Sequence, residues 1–158
     1  MKKRWYIGAS MCLGMITGII ITAHANIKDN HKWKELSDKH LALMLLFNRW
    51  ITMTQEGKTL VSYFHNNHIK TIAIYGMSYR GRRLYAELKD SDIEVKYAIH
   101  QNAKELFSEI NILSLDDELP LVDAVIVTPV YYFDRIYNEL GQRTEAEILS
   151  LETILYEI

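Results

Sequence analysis

The stretch Ile74–Arg83 reads IYGMSYRGRR, and it decides the fold class that the sequence predicts. An apolar run at 71–75 leads into the first glycine and is typical of a buried parallel strand, and a helical apolar spacing follows the turn. Gly76, Ser78 and Gly81 occupy the positions of a GxGxxG turn, with serine in place of the middle glycine. We therefore predict that this stretch is the first strand–turn–helix unit of a parallel sheet.

The rest of the chain alternates short apolar runs with helical patterns, which indicates right-handed βαβ units. We expect an α/β fold with a small doubly wound parallel sheet, Rossmann-like in its strand order 3-2-1-4-5, preceded by an N-terminal transmembrane helix and a helical segment. The switch point of such a sheet lies between the first and fourth strands. The predicted strands are 71–75, 94–99, 112–113, 122–127 and 147–151, and the predicted helices are 35–56, 59–66, 82–89, 103–110, 131–140 and 152–158.

The amino-terminal segment predicts a single membrane anchor at 1–25. Trp5–Ala25 contains no Asp, Glu, Lys or Arg, and about 20 apolar residues are enough to span a bilayer. The basic start Lys2–Arg4 and the sequence Ala23-His24-Ala25 also fit a secretory signal peptide, so secretion after cleavage is the alternative. The remaining predicted regions are a linker with amphipathic helices at 26–69 and the Rossmann-like domain at 70–158.

Composition and motifs exclude several classes of protein. The formal net charge of this 158-residue chain is −2, which does not favour nucleic acid as a partner. Cys12 is the single cysteine, so an intrachain disulfide and a cysteine-rich metal site are excluded. No nucleophile is paired with a general base in the sequence, so we predict no catalytic residue, and we predict no metal site.

Three arginines, Arg80, Arg82 and Arg83, crowd the predicted turn. The start of a helix carries about half a positive charge and free N–H groups, and these together bind anions. Arg80 and Arg82 can add charge-assisted hydrogen bonds to a phosphate, and the Ser78 hydroxyl can add another. The alternative is that the arginines are solvated, with Arg83 paired to Glu87 one helical turn along.

Residues after two other strands complete the predicted crevice. His100 ends the second strand, where NAD-binding sheets carry an acid that holds the ribose, so the sequence disfavours NAD. Thr128 can donate a hydrogen bond, and Tyr131 or Tyr132 can stack on a base or sugar; the alternative is that one tyrosine packs on the core and the other lies on the surface. The predicted ligand-binding residues are Gly76, Ser78, Tyr79, Arg80, Gly81, Arg82, His100, Thr128 and Tyr131.

The domain at 70–158 resembles a small Rossmann-like domain attached to bacterial glycosyltransferases and other polysaccharide-biosynthesis proteins. The resemblance lies in TIAIYGMSYRGRRLYAEL, IEVKYAIHQNA, SLDDELPLVDAVIVTPVYYFDRI and ILSLETILYEI. Similar domains form the N-terminal part of sugar acyltransferases and the C-terminal domain of sugar C-methyltransferases. The resemblance implies a nucleotide-sugar or NAD-type ligand with its phosphates at Gly76, Ser78 and Gly81. It also implies a cytoplasmic domain and a glycosyltransferase partner. His100 departs from the aspartate usual in that family.

Three hypotheses of function follow from these patterns. The first is a membrane-anchored module that binds a nucleotide, nucleotide-sugar or related phosphate ligand in cell-envelope polysaccharide biosynthesis. The second is an interaction module with a non-functional nucleotide pocket; it would form oligomers through the GxxxG spacing Gly14–Gly18 or dock a partner enzyme. The third is an NAD-dependent sugar-modifying enzyme, which the lack of a catalytic pair disfavours.

Overall fold

The computed structural model of the protein describes residues 32–100 and 109–158. The predicted anchor at 1–25 falls outside these residues, and the predicted helix at 103–110 does so almost entirely. The strands are β1 (Thr71–Tyr75), β2 (Glu94–Ile99), β3 (Ile112–Leu113), β4 (Ala124–Val127) and β5 (Glu147–Ser150). The helices are α1 (32–55), α2 (Leu60–Asn66), α3 (Tyr79–Leu88), α4 (Phe133–Leu140) and α5 (Leu151–Glu157), with a 3-10 turn at Val130–Tyr132.

The five strands form one sheet in the order β3-β2-β1-β4-β5, and all neighbouring pairs are parallel. This confirms the predicted strand order. The chain moves outward in one direction from β1 through β2 to β3, then crosses back to β4 and continues to β5. The carboxyl ends of β1 and β4 therefore lie side by side at the switch point, where the crevice of such a sheet opens.

The chain divides into two units, Met1–Met44 and Leu45–Ile158, and the second contains the whole sheet. Side chains of β1 and β4 alternate between the two faces of the sheet. The first face packs against the part of α1 that begins at Leu45 and against α2, α3 and α5. The second face packs against α4 through Ile136 and Leu140. Helices thus cover both faces of the sheet, which explains why β4 is buried along its whole length.

Strand β2 departs from simple alternation at Lys96. Val95 aligns with Ile72 and Tyr97 aligns with Ala73, so Lys96 has no partner in β1. Val95 packs on the first face of the sheet, and Tyr97 on the second. The extra residue is a β-bulge, and it leaves the lysine exposed, where its ammonium donates to the carbonyl of Leu121.

The carboxylate of Glu87 joins three helices. It accepts hydrogen bonds from the Trp50 indole N–H at 2.7 Å and from the Leu60 backbone N–H at 3.1 Å. The second bond satisfies one of the free N–H groups at the start of α2. Thr59 caps the same helix, since its side-chain oxygen accepts a hydrogen bond from the Ser62 N–H.

Asp123 performs a similar task at the amino edge of the sheet. One oxygen of its carboxylate accepts hydrogen bonds from the N–H groups of Lys70 and Thr71, at 2.9 and 2.7 Å, and from the Thr71 hydroxyl at 3.0 Å. These bonds lower the pKa of the Asp123 carboxyl group. They tie the start of β1 to the residue that leads into β4.

Candidate functional site

The turn after β1 depends on two glycines. Gly76 has φ of +92°, a conformation that other residues rarely adopt, and its N–H donates to the Ile99 carbonyl at 2.9 Å. A Cβ atom on Gly81 would overlap the carbonyl oxygen of Gly76, so the first turn of α3 lies directly against the turn. These are the roles that a strand–turn–helix fingerprint assigns to its first and last glycines.

Thr128, which directly follows β4, holds this turn through hydrogen bonds of its hydroxyl. The residue is fully buried, and its hydroxyl lies 2.8 Å from the Gly76 carbonyl oxygen and 3.1 Å from the Tyr75 carbonyl oxygen. A Cβ on Gly76 would lie 2.9 Å from the Thr128 hydroxyl oxygen. The hydroxyl that the sequence offers to a ligand is thus engaged by the backbone of β1. The structure gives Thr128 the task of fixing the end of β4 to the turn.

The start of α3 has no acidic residue and no side-chain cap. Ser78 is the N-cap residue, but its hydroxyl makes no capping hydrogen bond, and it is exposed. Arg82 folds back on the turn, where its Nε donates to the Met77 carbonyl at 3.3 Å. The predicted pair of Arg83 and Glu87 is not formed, because Glu87 bonds to α1 and α2 instead. Within 32–100 and 109–158, no carboxylate pairs with any arginine of this turn.

Arg80 is half-buried at the crevice. Burial lowers the pKa of its guanidinium, whereas Tyr131 and the Glu152 carboxylate act in the opposite direction. These two residues follow β4 and β5, so Arg80 interacts electrostatically with the ends of the next two strands. Glu152 is missing from the residues predicted from sequence. The signal that could have found it is its place two residues after β5, on the edge where parallel strands end together.

The other predicted residues lie at the same edge of the sheet or on its rim. Tyr79 is 84% exposed and Tyr131 is 45% exposed, so both can meet a ligand with an aromatic face. His100 is half-buried at the end of β2, and its backbone N–H donates to the Leu113 carbonyl at 3.0 Å. Around the switch point between β1 and β4 lie Ser78, Arg80 and Tyr131, whereas His100 lies at the end of β2, on the other side of β1.

The residues that the structure describes hold neither a metal-binding cluster nor a membrane-spanning helix. Among them, no group of three or more His, Cys, Asp or Glu side chains could hold a metal ion. His65 instead contacts the carboxylate of Asp92 at 2.9 Å. No helix in the described part of the chain combines the length and the apolar character needed to cross a membrane.

No protein-family model matches the chain, and neither does any curated protein or solved structure. The chemistry of the site must therefore be read from its own groups. They are a tight βα turn, an uncapped helix start, a half-buried guanidinium and exposed phenol rings. Such a set suits an anion attached to a flat or ring-shaped group, because the cations and N–H groups attract the anion and the rings offer stacking surfaces.

Proposed function

We propose that this protein binds a phosphate-bearing small molecule, a nucleotide or nucleotide-sugar, at the carboxyl edge of the sheet between β1 and β4. The observation that carries the proposal is the start of α3. Of the three arginines there, Arg80 and Arg82 have no carboxylate within ion-pair distance among the described residues, although the Glu152 carboxylate acts on Arg80 from further away, and no side chain caps the helix. Cations at a helix start cost stability, typically about 0.3–1 kcal/mol each at exposed positions, and a bound anion would remove that cost.

Arg80 contributes most to this proposal, because it is the half-buried arginine of the three. Its guanidinium has lost part of its hydration, so a phosphate would restore hydrogen bonds that water no longer supplies. Arg82 lies on the exposed side of the turn and adds a second positive charge. Gly81 packs directly against Gly76, which brings the start of α3 close to the backbone of the turn, as in a strand–turn–helix fingerprint.

The setting that we propose is cell-envelope polysaccharide biosynthesis, with the domain held on the cytoplasmic side of a membrane by residues 1–25. Two features of the sequence support it: the uncharged run Trp5–Ala25, and the resemblance of 70–158 to domains of polysaccharide-biosynthesis proteins. A nucleotide-sugar ligand accords with both, because nucleotides are a cytoplasmic resource.

Isothermal titration of the full-length protein with UDP-sugars, NADH and coenzyme A tests the binding. We expect at least one of them to bind with Kd below 1 mM, about −4 kcal/mol, and Arg80→Gln to weaken it about tenfold or more. Lys89→Gln is the matched control, because this exposed lysine caps the other end of α3. The proposal fails if no member of the panel binds below millimolar Kd, or if the two variants bind alike.

An interaction module is the second candidate, and one observation favours it. In the unit that ends at Met44, the helical residues 32–44 expose large apolar side chains, with Trp33 67% and Met44 59% exposed. Surfaces of this kind commonly contact other chains. Light scattering of the full-length protein in detergent tests the proposal: an oligomer that Met44→Lys dissociates supports it, and a monomer contradicts it.

A further inference from the structure

A second concave surface lies away from the sheet edge, between α1 and α3. It is a groove of about 400 Å³ lined by Phe47, Trp50, Ile51, Thr54, Gln55 and Arg83. All of these residues belong to the unit Leu45–Ile158. The groove walls are almost entirely apolar, and the volume is within the range of small-molecule sites, about 300–1,000 Å³.

The apolar walls of the groove are well defined. The Phe47 and Trp50 rings are stacked, with centroids 6.4 Å apart and planes at 14°. The indole N–H of Trp50 donates to Glu87, which fixes the orientation of the ring. Ile51 completes the wall and is 56% exposed, so a large part of its side chain faces solvent. Covering these side chains with hydrocarbon would remove apolar surface from water.

Arg83 is the charged residue that lines the groove, chiefly through its apolar stem, and its guanidinium has no ion-pair partner within the described chain. The glutamate one turn along the helix, Glu87, is engaged by Trp50 and Leu60. No carboxylate of 32–100 or 109–158 lies within ion-pair distance of Arg83. The groove therefore combines hydrocarbon walls with a single cation, and its charge is complementary to an anion that carries an apolar tail.

A second copy of this chain fits the groove poorly. In a two-fold contact the same surface of both copies meets, so two Arg83 cations would enter one interface. The other residues that line the groove are uncharged, so they supply no acid to offset this repulsion. A partner of this surface should therefore be anionic and should present an apolar chain to the groove walls.

We propose that the groove binds a single-chain anionic amphiphile, a fatty carboxylate or an alkyl phosphate. Its chain lies along Phe47, Trp50 and Ile51, and its head group binds the guanidinium of Arg83. This binding is distinct from that of the nucleotide-type ligand, because it uses a different surface and a different arginine. A volume near the lower end of the range for ligand sites favours one hydrocarbon chain over the two of a phospholipid.

The experiment is photo-crosslinking of the full-length protein in nanodiscs of phosphatidylcholine. One probe is a dodecanoic acid with a diazirine in its chain, and the matched probe has the same chain with a quaternary ammonium head. Mass spectrometry then locates the label. We expect the anionic probe to label 47–55 at least tenfold more than the cationic probe, and Arg83→Gln to remove most of that labelling. Ile51→Asp, a change at an exposed position, should do the same.

Arg135→Gln is the control and should leave the labelling unchanged, because Arg135 lies on α4 with its guanidinium over the ring of Tyr132. Equal labelling by both probes would overturn the proposal, as would full labelling of Arg83→Gln. Displacement of the label by inorganic phosphate as effective as by unlabelled dodecanoate would also overturn it, because the apolar walls would then contribute nothing. Protection by added anionic phospholipid but not by dodecanoate would show a bilayer contact and would equally refute a single-chain site.

Discussion

The starts of α2 and α3 lie in the same unit and are built in opposite ways. At α2, Thr59 caps the helix and the Glu87 carboxylate accepts the N–H of Leu60. At α3, Ser78 makes no capping hydrogen bond and arginines stand where acids would stabilise the helix. The first helix start is closed by side chains of the protein itself, and the second is open at the crevice. In this unit, a helix start that is capped and has an acidic partner is a structural junction, whereas an uncapped start with arginines is a candidate binding site.

Gly81→Ala should break the open helix start most severely. The new Cβ would overlap the carbonyl oxygen of Gly76, so α3 would have to move away from the turn. We expect a loss of about 3 kcal/mol in the free energy of unfolding, measured by urea denaturation of the full-length protein. Gly141→Ala is the control: its Cβ would lie 3.2 Å from the Tyr137 carbonyl oxygen, and the higher helix propensity of Ala should keep the net change to about 1 kcal/mol or less. Equal stability of the two variants would show that the close contact at Gly81 is unimportant.

Glu87→Ala should damage the closed helix start. The indole N–H of Trp50 and the N–H of Leu60 would both lose their acceptor. We expect a loss of about 2 kcal/mol in the free energy of unfolding, because unsatisfied donors in partly buried positions are costly. Glu118→Ala, at an exposed loop residue, is the control. A variant at Glu87 as stable as this control would mean that Thr59 alone closes the start of α2.

The pH dependence of stability tests the contribution of the Asp123 carboxylate, which accepts hydrogen bonds from backbone N–H groups at the amino edge of the sheet. Its pKa in the folded state lies below the ordinary value of 3.8, so its contribution is fully present above about pH 4 and is lost as the pH falls through the folded pKa. We expect Asp123→Asn to cost about 1 kcal/mol at pH 7, the low end for bonds to a charged group, because the site is exposed. The difference from wild type should shrink as the pH falls below about 4. A difference that is constant with pH would exclude the carboxylate as its cause.

Ser78→Asp, a change at the open start of α3, should have the smallest effect on stability of the four substitutions. A carboxylate at this N-cap position would supply the missing acid, and we expect a gain of about 0.5 kcal/mol in the free energy of unfolding. It should also reduce the thermal stabilisation that a nucleotide-type ligand gives, because it occupies the anion site with a negative charge. Thr59→Asp is the matched control and should gain nothing, since α2 is already capped and Glu87 is near. Unchanged ligand stabilisation in Ser78→Asp would argue against phosphate binding at α3.

The sheet was predictable because its signals are local. The apolar runs that end at Gly76 and Thr128 predict the two central strands, and the alternation with helices predicts that the strands are parallel. Helix α3 begins at Tyr79 rather than at the predicted residue 82, because Ser78 takes the N-cap position and brings the turn residues into the helix. The spacing of apolar residues locates the buried face of a helix, but it gives no information about an exposed first turn such as that of α3.

The site was less predictable, because its contacts join distant parts of the chain. Sequence indicated that Thr128 faces the crevice, but its hydroxyl lies against the carbonyl of Gly76, 52 residues away along the chain. Glu87 looked available to Arg83 on the same helix, but Trp50 and Leu60 use it. A short-range rule pairs neighbours on one helix, and only the packing of α1 and α2 reveals the competing donors.

The bulge at Lys96 has a consequence for aligning this chain with others. β2 has one residue more than β1 over the stretch where they pair. The alternation of its side chains between the two faces of the sheet is therefore shifted by one residue at Lys96. An alignment that slides an unbroken alternating pattern across β2 must assign either Val95 or Tyr97 to the wrong face of the sheet. A relative that lacks the bulge should therefore be aligned with a single-residue gap at this strand before its residues are compared with the crevice around Gly76.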